Sequence, residues 1–256
     1  KSETEEEYSK RSAKELEEKI LKIGPEKVCG FIGETIMGGL QGDVPPTKNY
    51  WKYIRAVCNK YNIHLLIDEV YCGMGITGKI YCIDYDRISP DFIFVGKTLA
   101  AGYAPLSMVL TSSKIINNLK KGDERIAYST THQGYSLGVA AALAVQKIMH
   151  KDTTLKNIVN TSNYIKKVLS SELENHSMFK NIRGRGLRMS LEYDCKNKNE
   201  FGIKLSKNML EKHNILIDAK WHRICITPAA IINKSQTNLC LEKLVDEFRV
   251  LGKKFK

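Results

Sequence analysis

The chain has no apolar run of about 18 residues, so its sequence predicts no transmembrane helix. Its first residues, KSETEEEYSKR, contain no apolar segment, and we do not expect a signal peptide. The seven cysteines form no CxxC pair and are odd in number, which argues against a zinc site and against a disulfide framework. We therefore expect buried, reduced thiols in a reducing compartment such as the cytoplasm or the mitochondrial matrix.

The sequence also lacks a concentrated basic region, although its formal net charge is +12. The lysines are spread over the whole chain, and no basic stripe interleaved with aromatic residues is present. We therefore expect no nucleic-acid binding. With 256 residues, 43% of them hydrophobic and 27% charged, the chain has the composition of a globular protein with one large or two modest domains.

Near-continuous apolar segments alternate with helical patterns in the first part of the chain. Such strands indicate a parallel sheet covered by helices on both faces, hence an α/β fold. The predicted strands are 28–35, 64–70, 91–96 and 105–112. The predicted helices between and after them are 3–23, 50–62 and 136–153. From residue 181 onward a short strand, a helix, a strand pair and a final helix predict a smaller α+β domain. We divide the chain into residues 1–152 and 153–256.

Charged side chains stand where three of these apolar strands end. Glu34 is the penultimate residue of VCGFIGET, Asp68 ends the run HLLID, and Lys97 follows DFIFVG. Ligands of parallel sheets bind beyond the carboxyl ends of the strands. An acid and a lysine in these places are what a pyridoxal phosphate enzyme needs: the lysine forms a Schiff base, and the acid keeps the pyridine nitrogen protonated.

Five ordered motifs then connect the chain to a known family. The motifs are GETIMGGLQGDVPPTKNY, LLIDEVYCGMGITG, PDFIFVGKTLAAGYAPL, THQGYSLGVAAALAV and RGRGL. With them, the chain resembles the class III aminotransferases, the pyridoxal phosphate-dependent family of fold type I that includes many ω-amino acid transaminases. The resemblance implies the C-terminal part of the large parallel-sheet domain followed by the small α+β C-terminal domain.

The resemblance also assigns roles around the cofactor. Lys97 would be the Schiff-base lysine and would then move the substrate Cα proton as a general base. Asp68 would pair with the pyridinium nitrogen, and Val70 would pack on one face of the ring. Tyr71 stands where many members carry glutamine, so either its hydroxyl reaches the phenolic oxygen of the cofactor or it is a rim aromatic.

Three further residues concern the partner subunit and the substrate. Thr131 matches the threonine that reaches the cofactor phosphate of the other subunit, which implies at least a homodimer; the neighbouring hydroxyls of residues 129 and 130 leave this register open. Glu34 is either a substrate-side acid or a structural acid at a strand end. Arg223 is the candidate substrate arginine, although Cys225 occupies the usual position of that residue.

We therefore expect transamination between an amine or ω-amino acid and a keto acid. Two alternatives stay open. Aminomutases and decarboxylases share the acid–lysine pair. A non-catalytic fragment or pseudoenzyme is the other alternative, since family members carry a preceding stretch with the phosphate-binding turn and Ile76 replaces a family arginine. We expect this chain to represent only the C-terminal part of such an enzyme.

Overall fold

The computed structural model describes residues 3–39, 41–122 and 128–255. The chain divides into two compact units. The first comprises residues 1–36, 46–75 and 79–148, and the second comprises residues 37–45, 76–78 and 149–256. The division at residue 152 stays a prediction. Across the described ranges, no helix has both the length and the apolar character that a membrane span requires.

The first unit is built around a four-stranded sheet. Its strands lie in the order β1 (Gly30–Glu34), β2 (His64–Asp68), β3 (Phe92–Val95) and β4 (Met108–Thr111). Its helices are α1 (Glu5–Ile23), α2 (Tyr50–Lys60), α3 (Ser113–Leu119) and α4 (Ser136–Met149).

Packing of α2 against the sheet forms the core of this unit. Trp51 and Ile54 of α2 lie in one cluster with Leu65 and Ile67 of β2, and all four side chains are essentially inaccessible to solvent. The residues of β2 alternate between deeply and partly buried positions. Burial of each such aliphatic side chain contributes about 1.5–3 kcal/mol. The helix and the strand therefore hold each other in a fixed register.

The fourth strand runs in the opposite direction to the other three. β1, β2 and β3 are parallel, as predicted, whereas β4 pairs antiparallel with β3, with Phe92 opposite Thr111 and Val95 opposite Met108. The expectation of a fully parallel sheet is wrong for this strand. A parallel connection usually runs through a crossover helix, whereas the segment between β3 and β4 holds only the short 3₁₀ turn Lys97–Leu99.

The second unit contains an antiparallel sheet with three long helices. The spatial order of its strands is β5 (Phe179–Arg185), β6 (Arg188–Tyr193), β8 (Arg223–Ile226) and β7 (Asp218–Lys220). The helices are α5 (Asp152–Leu173), α6 (Lys198–His213) and α7 (Lys234–Gly252).

The turn between β5 and β6 explains why residues 76–78 belong to this second unit. The sequence predicts one short strand here, but the chain forms a hairpin that turns at Gly186 and Leu187. Gly186 has φ +52°, and a Cβ on it would lie 2.4 Å from Cα of Thr77. The amide of Leu187 donates to the carbonyl of Ile76 at 3.0 Å. Only glycine permits this close approach of two backbones.

We predict that Gly186→Ala destabilises the second unit by at least about 1–3 kcal/mol, because the new methyl group meets backbone atoms in a left-handed conformation. Denaturant unfolding followed by circular dichroism measures the change. Gly39→Ala is the matched control, since a Cβ on Gly39 meets nothing within 4 Å. Equal stabilities of the two variants would contradict this reading of the turn.

Candidate functional site

The register of the first sheet brings the ends of β1, β2 and β3 to one edge. Glu34 is paired with Asp68, and Asp68 is paired with Phe94, in two parallel ladders. Lys97 follows Phe94 by three residues. The placement of Glu34, Asp68 and Lys97 beyond the carboxyl ends of neighbouring strands, which the sequence predicts, is therefore found in the structure. Their roles stay predictions.

Asp68 is the last residue of β2 and is half-buried. Its Oδ1 accepts a hydrogen bond from the backbone amide of Val70 at 2.9 Å. This short contact fixes the carboxylate to the chain where the strand ends and turns. An ionised carboxylate held in this way can stabilise a cationic group placed beyond the strand end.

Lys97 leaves β3 in an unusual backbone conformation. Its φ is +42°, in the left-handed region that residues with a Cβ rarely occupy. Its carbonyl accepts hydrogen bonds from the amides of Ala100 and Ala101, which close the turn that it opens. The side chain itself is exposed. Strained residues of this kind concentrate at functional sites, and the amine of Lys97 is accessible to a ligand.

Tyr71 and Val70 lie next to this lysine. The Nζ of Lys97 is 6.0 Å from the centre of the Tyr71 ring, at the limit of a cation–π contact. A Cβ on Gly96 would lie 3.3 Å from Cγ1 of Val70, so the valine side chain packs on the backbone just before Lys97. The structure thus brings together Asp68, Val70, Tyr71 and Lys97 around one strand end.

Thr131 and Glu34 are both exposed. Thr131 begins the turn before α4, and its two preceding hydroxyl residues lie just ahead of that turn. Its predicted role concerns the cofactor of a second subunit and stays a prediction. Glu34 is the last residue of β1 and is paired with Asp68. This position is compatible with a substrate-side acid and also with a structural acid at a strand end.

Arg223 lies in the second unit and is only 3% exposed. Its guanidinium donates to the carbonyl of Gly39 and stacks 5.2 Å from the ring centre of Trp221. Arg183 makes a similar contact nearby in the chain, since its Nε donates to the carbonyl of Gly42 at 2.7 Å. Arg223 thus has a structural contact that its sequence position does not reveal, and its predicted role as substrate ligand stays a prediction.

Glu69 is a residue that the sequence does not single out. It is fully buried and accepts hydrogen bonds from the amides of Cys82 and Ile83 at 2.8 and 2.6 Å. It therefore ties residues 82–83 to the strand end that carries Asp68. Burial raises the pKa of Glu69 to about 8, against the lowering effect of the two amide donors. In the sequence, the only indication that Glu69 is buried is that it directly follows Asp68, because adjacent side chains of an extended chain point to opposite sides.

We predict that Glu69 makes stability fall with rising pH. The pKa of Glu69 in the folded protein, about 8, lies above the ordinary value of 4.5. Between these two pH values the folded protein therefore binds one more proton than the unfolded chain. The free energy of unfolding consequently falls as the pH rises from the lower value to the higher one. Denaturant unfolding between about pH 5 and pH 8 should show the fall in wild type and a shallower slope in Glu69→Gln.

Glu18→Gln, which changes an exposed carboxylate of α1, is the control and should keep the wild-type slope. A Glu69→Gln slope equal to that of wild type would refute a protonated buried carboxyl.

Comparison with known proteins places this geometry in context. Residues 1–248 match the sequence model of the family described as aminotransferase class-III. An aminotransferase of Gibberella zeae is 37% identical over 190 residues, which cover 74% of this chain and 37% of that protein. Gamma aminobutyrate transaminase 2 of Solanum lycopersicum is 33% identical over 265 residues, covering 99% of this chain and 56% of that protein.

A solved structure shows the same arrangement of elements. The ω-transaminase of Pseudomonas jessenii in complex with PMP superimposes with a TM-score of 0.89 at 26% identity, covering 99% of this chain and 58% of that one. The chain thus spans about half the length of the curated relatives it matches, from 37% to 56% for the two named above.

Proposed function

The chain belongs to the class III aminotransferase family, and from that premise we propose that its complete gene product transfers an amino group from an amine or ω-amino acid to a keto acid, using pyridoxal phosphate. Its α/β fold is that of the fold-type I transaminases. The names of similar proteins, a gamma aminobutyrate transaminase and an ω-transaminase, support a donor whose amine is distant from a carboxylate or lacks one.

An acid and an accessible lysine lie at the ends of neighbouring strands, and this arrangement is the main support for the proposal. Asp68 closes β2, and Lys97 opens the short turn that follows β3, with its amine near Tyr71. Lys97 also has a left-handed backbone conformation, which is sparsely populated and is enriched at functional sites.

These residues fit pyridoxal phosphate by the chemistry of their side chains. Lys97 would hold it covalently through its amine, and Asp68 would face its ring nitrogen. Val70 would pack on the ring, and Tyr71 would donate to the phenolic oxygen or line the rim. Thr131 would serve the cofactor phosphate of a second subunit. When bound, the cofactor supplies an electron sink for the carbanion left at the substrate Cα.

The side chains then do the remaining work. The carboxylate of Asp68 stabilises positive charge on the ring nitrogen, because an opposite charge at close range favours the protonated form. The released amine of Lys97 takes the proton from the substrate Cα as a general base. Glu34, exposed at the end of β1, is available to a substrate group on the same edge of the sheet.

A homodimer is part of the proposal. Helix α4 begins five residues after Thr131 and exposes several large apolar side chains, among them Leu137 and Leu143, which are 70% and 60% exposed. Exposed apolar surface of this kind is typical of a protein–protein contact. The helix that carries it begins shortly after the threonine whose proposed role is in a neighbouring subunit.

We predict that Lys97→Ala lowers kcat/KM for transamination by at least about 10²-fold, since it removes the general base. The measurement is a coupled assay on the complete gene product, with product identification by mass spectrometry. Lys114→Ala, an exposed lysine of α3, should leave the rate unchanged.

Equal amounts of new amine and new carbonyl product identify transamination. Release of carbon dioxide or an isomerised amino acid would instead favour a decarboxylase or an aminomutase. No turnover by the wild-type protein would favour a non-catalytic role.

Subunit mixing tests the shared site. We predict that Lys97→Ala and Thr131→Ala proteins are each impaired, but that hybrids of the two regain activity. In a hybrid dimer, one site has lost both residues, whereas the other contains an intact Lys97 and an intact Thr131. Co-expression with two affinity tags isolates the hybrid for assay.

Thr130→Ala is the matched control and should be active alone. Activity in the hybrid no higher than the mean of its parents would rule out the contribution of Thr131 across subunits.

A further inference from the structure

Helix α4 is largely apolar, and its polar residue Gln146 contacts the turn that follows β3. The helix sequence is SLGVAAALAVQKIM, and Gln146 is partly buried where it faces the turn that follows β3. Ala142, one helical turn earlier, belongs to an apolar cluster with Leu99 and Ala100 of that turn. The same face of α4 that packs on the turn therefore carries one amide.

The amide of Gln146 holds the backbone of the turn. Its Nε2 donates to the carbonyl of Thr98 at 3.2 Å and to the carbonyl of Leu99 at 3.0 Å. These are the two residues directly after Lys97. Carbonyls at the end of a short helical turn lack partners within that turn, and Gln146 supplies partners from a separate element.

The turn needs such a tether because its conformation is strained. Lys97 has φ +42° and Ala101 has φ +49°, so left-handed residues that carry a Cβ lie at both ends. The hydrogen bonds inside the turn are few: the amide of Leu99 donates to Gly96, and the amides at 100 and 101 donate to Lys97. Conformations of this kind persist where the surroundings over-determine them.

The oxygen of the Gln146 side-chain amide, unlike its nitrogen, makes no hydrogen bond within the described ranges. This Oε1 is buried. A buried acceptor without a partner is unfavourable, and methionine would fill a similar volume without that cost. The two donor contacts with the turn are what glutamine adds at this position.

We propose that Gln146 is a positioning residue for Lys97. By fixing the carbonyls of Thr98 and Leu99, it holds the left-handed backbone of Lys97 and so directs the amine toward Tyr71 and the end of β2. Its meaning for catalysis rests on the proposed function, whereas its effect on the turn does not.

The first experiment is hydrogen exchange on the protein without cofactor. In Gln146→Met, the amides of Leu99, Ala100 and Ala101 should exchange about tenfold faster than in wild type, the effect of losing two neutral hydrogen bonds. Gln146→Glu has the same shape but cannot donate when ionised, and it should give the same result. Lys147→Met changes the exposed neighbouring residue and is the control.

The second experiment follows the reaction of pyridoxal phosphate with Lys97 in the complete gene product. Gln146→Met should attach the cofactor about tenfold more slowly and lower kcat while KM for the amine stays unchanged, because misplacement of a catalytic group reduces the rate more than the binding. General destabilisation would not produce this division between kcat and KM.

The outcomes separate the two ideas. Unchanged exchange of the turn amides and unchanged attachment in both folded variants would overturn the role of Gln146. Attachment of the cofactor to another residue in wild type would overturn the proposed function, and the exchange data would still decide whether Gln146 holds the turn.

Discussion

The register of three parallel strands is the constraint on which the site depends. Glu34 lies opposite Asp68, and Asp68 lies opposite Phe94, so β1, β2 and β3 end in one row. A shift of one residue would turn every side chain of a strand to the other face. The apolar packing of Trp51 against β2 prevents that shift. Core packing thus aligns the end of β2, which carries the acid, with the end of β3, which precedes the lysine.

Beyond the strands, the site depends on how the chain leaves β3. Lys97 turns into a left-handed conformation at once, and the turn that follows sends the chain back as the antiparallel strand β4. The same reversal therefore places the lysine and ends the parallel part of the sheet. Gln146 of α4 contacts this reversal at the carbonyl of Leu99, and the side chain of Val70 contacts it at Gly96.

The sequence was sufficient for the features that depend on local pattern. The apolar runs before Asp68 and Lys97 identify buried strands, and the carboxyl ends of parallel strands meet at one edge. The edge position of both residues follows from those two facts alone. The family resemblance added Val70, Tyr71 and Thr131, whose spacing to the strand ends carries no signal by itself.

Features that depend on distant backbone atoms could not be predicted. Glu69 binds amides 13 and 14 residues away, and Gln146 binds carbonyls 47 and 48 residues away. Backbone groups are the same at every position, so such contacts leave no trace in residue types. Arg223 is the counterpart: its charge suggests a substrate ligand, whereas its visible partner is the carbonyl of Gly39.

In the proposed enzyme, the amine of Lys97 holds the cofactor. Borohydride reduction of the complete gene product after addition of pyridoxal phosphate fixes the cofactor to the amine that carries it, and peptide mass spectrometry then locates the label. We predict one predominant labelled peptide, with the label on Lys97. A label spread over exposed lysines such as Lys114, or absent from Lys97, would contradict it.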